Sequence, residues 1–236
     1  MKEVIMKKLL FWMVLIVGTV ALLGSCSKKD ESTAAAAGNV AGTGTTASGT
    51  ITGTPVTGTF HTSWGGATPA GGCVSNSTAI STYGFPSDTK SFKIEWIVTG
   101  TSTYTLSLVN YSDATCSTMT SYFNTMYENV TTGSELTGLT AGSSPTKPTT
   151  ASKFSSVEDK YSLMANTTVS VAHFLSTYGV SLDSGTEMVI DEESPVTKYG
   201  LAATATVSGN SWLFINRGIS TADNVTDWSG GNAYWQ

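Results

Sequence analysis

Two stretches between residues 91 and 108 carry apolar side chains at alternate positions. Phe92, Ile94, Trp96 and Val98 alternate with Lys93 and Glu95, and Tyr104, Leu106 and Leu108 alternate with Thr103, Thr105 and Ser107. A period of two sends neighbouring side chains to opposite faces of an extended strand, so each segment predicts a strand with one buried face. Gly100 to Ser102 leaves room only for a short turn, and the two strands are predicted to pair as an antiparallel hairpin. Further strands are expected at Glu187 to Asp191, Gly200 to Val207 and Ser211 to Asn216, with Ser208-Gly209-Asn210 turning the last two back on each other. The fold class that follows is mainly β, an antiparallel meander.

Two segments carry a helical period instead. Ser155 and Glu158 have the spacing of a capping box ahead of Val157, Tyr161 and Met164, and Val171, Phe174, Leu175 and Tyr178 recur every three or four residues before Gly179. One or two short helices are therefore predicted. Residues 141–153, rich in Ser, Thr and Pro, read as a long loop, and neither an internal repeat nor a second domain is evident.

Charged residues make up 12% of the chain, while about 70 of its 236 residues are Ser or Thr. The surface is thus built from hydroxyls more than from ion pairs. Arg217 is the single arginine and the formal net charge is −5. A nucleic-acid partner is excluded, because neutralising phosphates takes clustered Lys and Arg.

The N-terminus reads as an address. Lys7 and Lys8 precede an apolar run from Leu9 to Leu23 that only Gly18 and Thr19 interrupt, the charged and hydrophobic regions of an export signal over residues 1–25. The run is short for a membrane span. Leu23-Gly24-Ser25-Cys26 resembles the lipobox of bacterial lipoproteins. That resemblance implies cleavage before Cys26, lipidation of its thiol and amine, and attachment to the membrane through the lipid; an ordinary secretory signal is the alternative. Ser27 follows the cysteine, with no aspartate beside it as in the inner-membrane retention signal, which points to the outer membrane of the cell envelope. Loss of Lys2, Lys7, Lys8 and Glu3 with the signal would take the net charge to −7.

Residues 26–57 hold Ser, Thr, Gly and Ala and no aromatic side chain, so they bury too little apolar area to offset their ordering entropy. They read as a spacer with a random-coil reach on the order of 30 Å. A first strand near Thr50 to Val56 is the competing reading. Aromatic residues then run from Phe60 to Trp235, and the globular domain is placed at residues 58–236.

Gly58-Thr59-Phe60, Trp64, Cys73 and the stretch Tyr111-Ser112-Asp113-Ala114-Thr115-Cys116 resemble the opening of small lipocalin-like bacterial lipoproteins. In that family a Gly-x-Trp opens the first strand, and a Tyr-Ser-Asp-x-x-Cys stretch closes a hairpin. The resemblance implies a closed or nearly closed antiparallel barrel, which removes sheet edges. It also implies a Cys73–Cys116 disulfide, and these are the two cysteines left once Cys26 is acylated; two buried free thiols are the alternative. Arg217 is implied to pack over the opening aromatic residue and close one barrel end. Phe60 stands where the family has Trp, with Trp64 as the substitute ring. Such a barrel holds an apolar ligand or is filled by its own side chains.

Catalytic chemistry finds little purchase. His61 and His173 are the only histidines, and neither accompanies a Gly-x-Ser-x-Gly elbow. His173 reads as a half-buried helical histidine with a backbone partner, and His61 as a surface or rim residue. Structural zinc lacks ligands. Asp191-Glu192-Glu193 and the pair Asp223 and Asp227 lack the spacing of a calcium loop. Glu158 and Asp159 read as first-turn helical carboxylates complementing the helix dipole. The Asn-x-Ser/Thr sites at Asn76, Asn110, Asn129, Asn166 and Asn224 are a by-product of Ser and Thr abundance. The pairs Gly65-Gly66, Gly71-Gly72 and Gly230-Gly231 lack the lysine of a phosphate-cradling loop. The function expected is non-enzymatic and needs no cofactor or metal, with a small apolar ligand or a protein as partner. A carbohydrate-binding or hydrolytic protein using Asp191 or Glu192 beside Trp212 or Trp228 is the second reading, and a structural surface protein the third.

Overall fold

The structure is a computed structural model, and it describes residues 48–51, 54–64, 67–141, 145–192, 194–219, 225–228 and 232–236. The export signal, Cys26, most of the spacer, Glu193, Asp223 and Asn224 lie outside those residues, as do the pairs Gly65-Gly66 and Gly230-Gly231.

Eleven strands are present among the described residues. β1 (Ser48–Ile51) and β2 (Thr54–Thr57) pair with each other as a separate hairpin. The other nine, β3 (Thr59–Thr62), β4 (Ser91–Val98), β5 (Tyr104–Tyr111), β6 (Met119–Thr137), β7 (Thr150–Ala165), β8 (Met188–Asp191), β9 (Thr197–Val207), β10 (Asn210–Ile219) and β11 (Asn232–Trp235), form one antiparallel sheet. Its order is β6-β5-β4-β3-β11-β10-β9-β7-β8, and β6 also pairs with β7. That last pairing joins the sheet to itself, giving a ring of eight strands with β8 lying outside it along the end of β7. The antiparallel closure expected from the sequence is present.

The ring has a definable inside. One contact cluster takes members from all eight ring strands, including Phe60 of β3, Trp96 of β4, Tyr104 of β5, Tyr127 of β6 and Phe154 of β7. Side chains from every strand of a closed ring can meet only within it. In the cross-strand register Phe60 faces Trp96, Trp96 faces Leu106, and Tyr104 faces Tyr127. The alternation at Phe92 to Val98 therefore marks the inward face. The outward positions of β5 are buried as well, in contrast to the half-exposed strand expected, and Asn124 Nδ2 on β6 donates across to Ser162 Oγ on β7 at 3.1 Å.

The helices lie at one end. α1 (Ser77–Tyr83) starts at Asn76, whose side chain accepts from the Ala79 amide, and stops at Gly84 in the left-handed region. α2 (Thr168–Tyr178) starts at Thr167, which accepts from the Ser170 amide, and stops at Gly179, also left-handed. Both ends follow the side-chain cap and glycine stop that free helix termini require. Ala79 of α1 packs on Phe92 and Leu108, while Phe174 of α2 packs on Tyr161, Leu163 and Ala165. Thr167 Oγ1 donates to Asp88 Oδ2 at 2.7 Å and ties the two helical regions together.

The helical period beginning at Val171 gives α2 as expected, but the capping-box reading at Ser155 and Glu158 does not hold. Residues 150–165 are strand β7, flanked by β6 on one side and by β9 and β8 on the other. Tertiary pairing overrode a local helix signal of four residues. α1 carried too few apolar residues to be read from periodicity. Strand structure also begins before residue 58: β1 and β2 occupy part of the segment read as spacer, and Val56 is buried in the ring's main cluster.

Candidate functional site

The chemistry-bearing side chains inside the ring converge on Trp96 and Tyr127. Arg217 arrives from β10, next to a register shift between Asn216 and Ile219. Here β9 passes so close that a Cβ at Gly200 would fall into the Asn216 carbonyl, so this position requires glycine. The Arg217 guanidinium carbon lies 4.7 Å from the Tyr127 ring centroid and 5.3 Å from that of Trp96. Those two rings are themselves stacked with centroids 5.6 Å apart. The cation is thus held over π faces within ordinary cation–π range.

The rings recorded under Arg217 are therefore Trp96 and Tyr127. Trp64 forms a bridge with Ala67 and packs edge-on against Tyr83 in the α1 cluster, and Phe60 sits beside Trp96 on the neighbouring strand. In a closed ring a long side chain meets residues across the interior, which adjacency in the first strand does not reveal. Gly58, with φ of 92°, faces the Gln236 side chain at the start of β3.

Glu158, expected on a first helical turn, lies instead on a strand. It is 2% exposed on the inward face of β7, opposite Tyr127, where a bulge sets Asp159 out of register. Its carboxylate accepts from Tyr127 Oη at 3.3 Å and from Tyr161 Oη at 3.4 Å. Complete burial pushes the Tyr127 phenol well above its ordinary pKa; Arg217 opposes that shift and Glu158 adds to it. Burial alone lifts Tyr104 to about 12, and its Oη has no hydrogen-bond partner among the described residues.

His61 and Glu95 face each other on the outside of β3 and β4, with Nδ1 3.1 Å from Oε1 and the Lys93 ammonium 3.9 Å from the same oxygen. The His61 ring leans on Trp235, centroids 5.6 Å apart. No serine or cysteine side chain is recorded against His61 among the described residues, so a nucleophile is missing from this pair. His173 is half-buried on α2 between Phe174 and Tyr178, where burial lowers its pKa. Its ring partner is Thr177 Oγ1 at 3.5 Å, where a backbone group was expected.

The carboxylates proposed for hydrolysis are engaged, Asp191 exposed and Glu192 half-buried. Asp191 pairs with Lys160 at 3.2 Å, and Glu192 accepts from the Ser194 amide at 3.4 Å. Asp227 accepts from the Thr140 amide and hydroxyl and from the Trp228 amide, and these bonds, the hydroxyl first, lower its pKa. No group of three His, Cys, Asp or Glu side chains suited to a metal occurs among the described residues. Neither tryptophan offers a free platform. Trp212 is 3% exposed, with Nε1 donating to the Val207 carbonyl, and Lys147 lies over the Trp228 ring at 5.8 Å.

Cys73 and Cys116 are disulfide-bonded. Beside the bridge the Asp113 carboxylate gathers the Thr115 hydroxyl and the amides of Thr115, Ser117 and Thr118, and this holds its pKa well below the usual range. Turn and bridge together fix the loop from β5 to β6.

At the end of the ring away from the helices a cleft of about 360 Å³ opens above Val56 and Phe60, between the β9–β10 hairpin and the Gln236 side chain. No helix of the described residues is long and apolar enough to cross a membrane. Compared with known proteins, the chain matches no protein-family model and no curated sequence.

Proposed function

We propose that this protein is a non-enzymatic lipoprotein of the bacterial cell envelope, held to the outer membrane through Cys26, whose filled ring serves as a rigid body meeting a protein partner. The observation that carries the second half is the interior cluster: Trp96, Tyr104, Tyr127, Phe154 and Tyr234 are fully buried in one another's company. A ring packed with aromatic side chains leaves recognition to its ends and outer surface. Anchorage rests on Leu23-Gly24-Ser25-Cys26 behind the apolar run. Its acyl chains together would bind a membrane far more firmly than one chain does.

Two measurements test the reading. Cys26→Ser should abolish labelling by a palmitate analogue and release the protein from membranes; unchanged labelling would refute the anchor. A fluorescent fatty acid should not be taken up by the ring, and saturable micromolar uptake would show that the interior opens to an apolar ligand.

A further inference from the structure

The inward column of the β9–β10 hairpin changes character along its length. From the middle of the ring it reads Ala202 and Thr204 then Thr206 on β9, and Ile215 and Leu213 then Ser211 on β10. Leu213 faces Thr204 and Ser211 faces Thr206. An alternation that stays inward but passes from aliphatic to hydroxyl side chains builds a polar mouth on an apolar floor. The floor is Val56 and Phe60, both in the main interior cluster, and the far wall is Gln236, whose amide is positioned by a 3.0 Å bond to the Thr57 carbonyl.

Three properties of this mouth select a ligand class. Among the described residues no ionisable side chain lines it, although the chain as a whole is acidic, so the described lining offers an ionic ligand no charged side chain. The hydroxyls of Thr204, Thr206 and Ser211 have no protein partner recorded among the described residues, leaving each able to donate and accept. Its volume of about 360 Å³ is at the small end of ligand pockets, which run from ~300 to ~1,000 Å³. We infer that the mouth of the ring binds a neutral carbohydrate, one or two sugar residues whose hydroxyls are met by Thr204, Thr206, Ser211 and Gln236 above a floor that Val56 and Phe60 close. The walls are strand ends of the closed ring, so the site is formed before the ligand arrives. The inference goes beyond the proposed role and does not depend on the lipid.

The test uses the full chain in a zwitterionic, sugar-free detergent, titrated with maltose, cellobiose and diacetylchitobiose, with glucuronate as a charged comparison. Tryptophan emission reports, because Trp212 borders the cleft. At least one neutral disaccharide should saturate, with an affinity unchanged between low and high salt, since no ion pair forms. Ser211→Tyr and Thr206→Tyr, both at exposed positions, should each fill the mouth and weaken that binding at least about tenfold, equivalent to 1.4 kcal/mol, without moving the melting temperature. The inference is overturned if no neutral sugar saturates by about 10 mM, weaker than the millimolar end of ordinary affinities. It is equally overturned if both variants bind as the parent does, or if glucuronate binds better and in a salt-dependent way. None of these outcomes bears on membrane attachment, which the Cys26→Ser experiment reads separately.

Discussion

Two tyrosines on the inner wall, Tyr104 and Tyr127, face each other across β5 and β6 and are both buried, yet their hydroxyls have opposite consequences. Tyr127 donates to the buried Glu158, so Tyr127→Phe withdraws a donor from a carboxylate that solvent does not reach and should destabilise the protein by about 1–3 kcal/mol. Tyr104 Oη has no partner among the described residues, so Tyr104→Phe removes an unsatisfied polar group and should leave stability unchanged or raise it by up to about 1 kcal/mol. Urea denaturation of the two variants checks the contrast, and equal losses from both would contradict it. Arg217→Ala strips the cation from above Trp96 and Tyr127. A loss of about 1 kcal/mol, within the 0.5–2 kcal/mol of such contacts, should lower the melting temperature by about 2–4 °C for a domain of this size. Arg217→Lys should recover only part of that, because an ammonium lacks the planar stack.

At the level of elements, the loop joining β5 to β6, the longest strand, is held by the Cys73–Cys116 bond and the Asp113 turn. The bridge closes a separation of 43 residues. Chain-entropy arithmetic for that loop gives about 4 kcal/mol of restriction on the unfolded state. The double variant Cys73→Ser with Cys116→Ser should therefore melt well below the parent while keeping the same far-ultraviolet circular dichroism. The parent treated with reductant should match it, and a reduced parent that melts like the oxidised one would show the bridge to be energetically idle. β6 and β7 illustrate how an element can hide from periodicity. Their three register shifts move side chains between faces within one strand, so neither a period of two nor a period of 3.6 persists along them.

For the whole molecule, burying phenols inside the ring and in the clusters packed on it makes stability depend on alkaline pH. Tyr83, Tyr104 and Tyr111 are raised to about 12 and Tyr127 well above its ordinary value, burial being the main cause in each case. Their folded pKa values exceed the unfolded value near 10, so the native state keeps protons that the unfolded chain has lost. Stability is accordingly full below about pH 10 and falls as the pH rises from 10 towards 12. Phenolate absorbance should stay low until the ring opens and then rise together with the loss of circular dichroism. Early, independent titration of these tyrosines would show that solvent reaches them in the folded state.

What the sequence determined by itself is the part of the protein that rests on neighbours in the chain. The alternation from Phe92 to Leu108, the Ser208-Gly209-Asn210 turn and the stop at Gly179 specify strands, hairpins and α2 through local backbone preferences. The lipobox-like Leu23-Gly24-Ser25-Cys26 likewise depends on four consecutive residues. Ring closure depended instead on β6 finding β7, and the inner site on Trp96, Tyr127, Glu158 and Arg217, which lie up to 121 positions apart in the chain. Ser155 and Glu158 carried a local helix signal, and only pairing on both edges of β7 turned Glu158 inward to meet two phenols. Burial and cross-ring contact are properties of the closed surface, so no window of sequence held them.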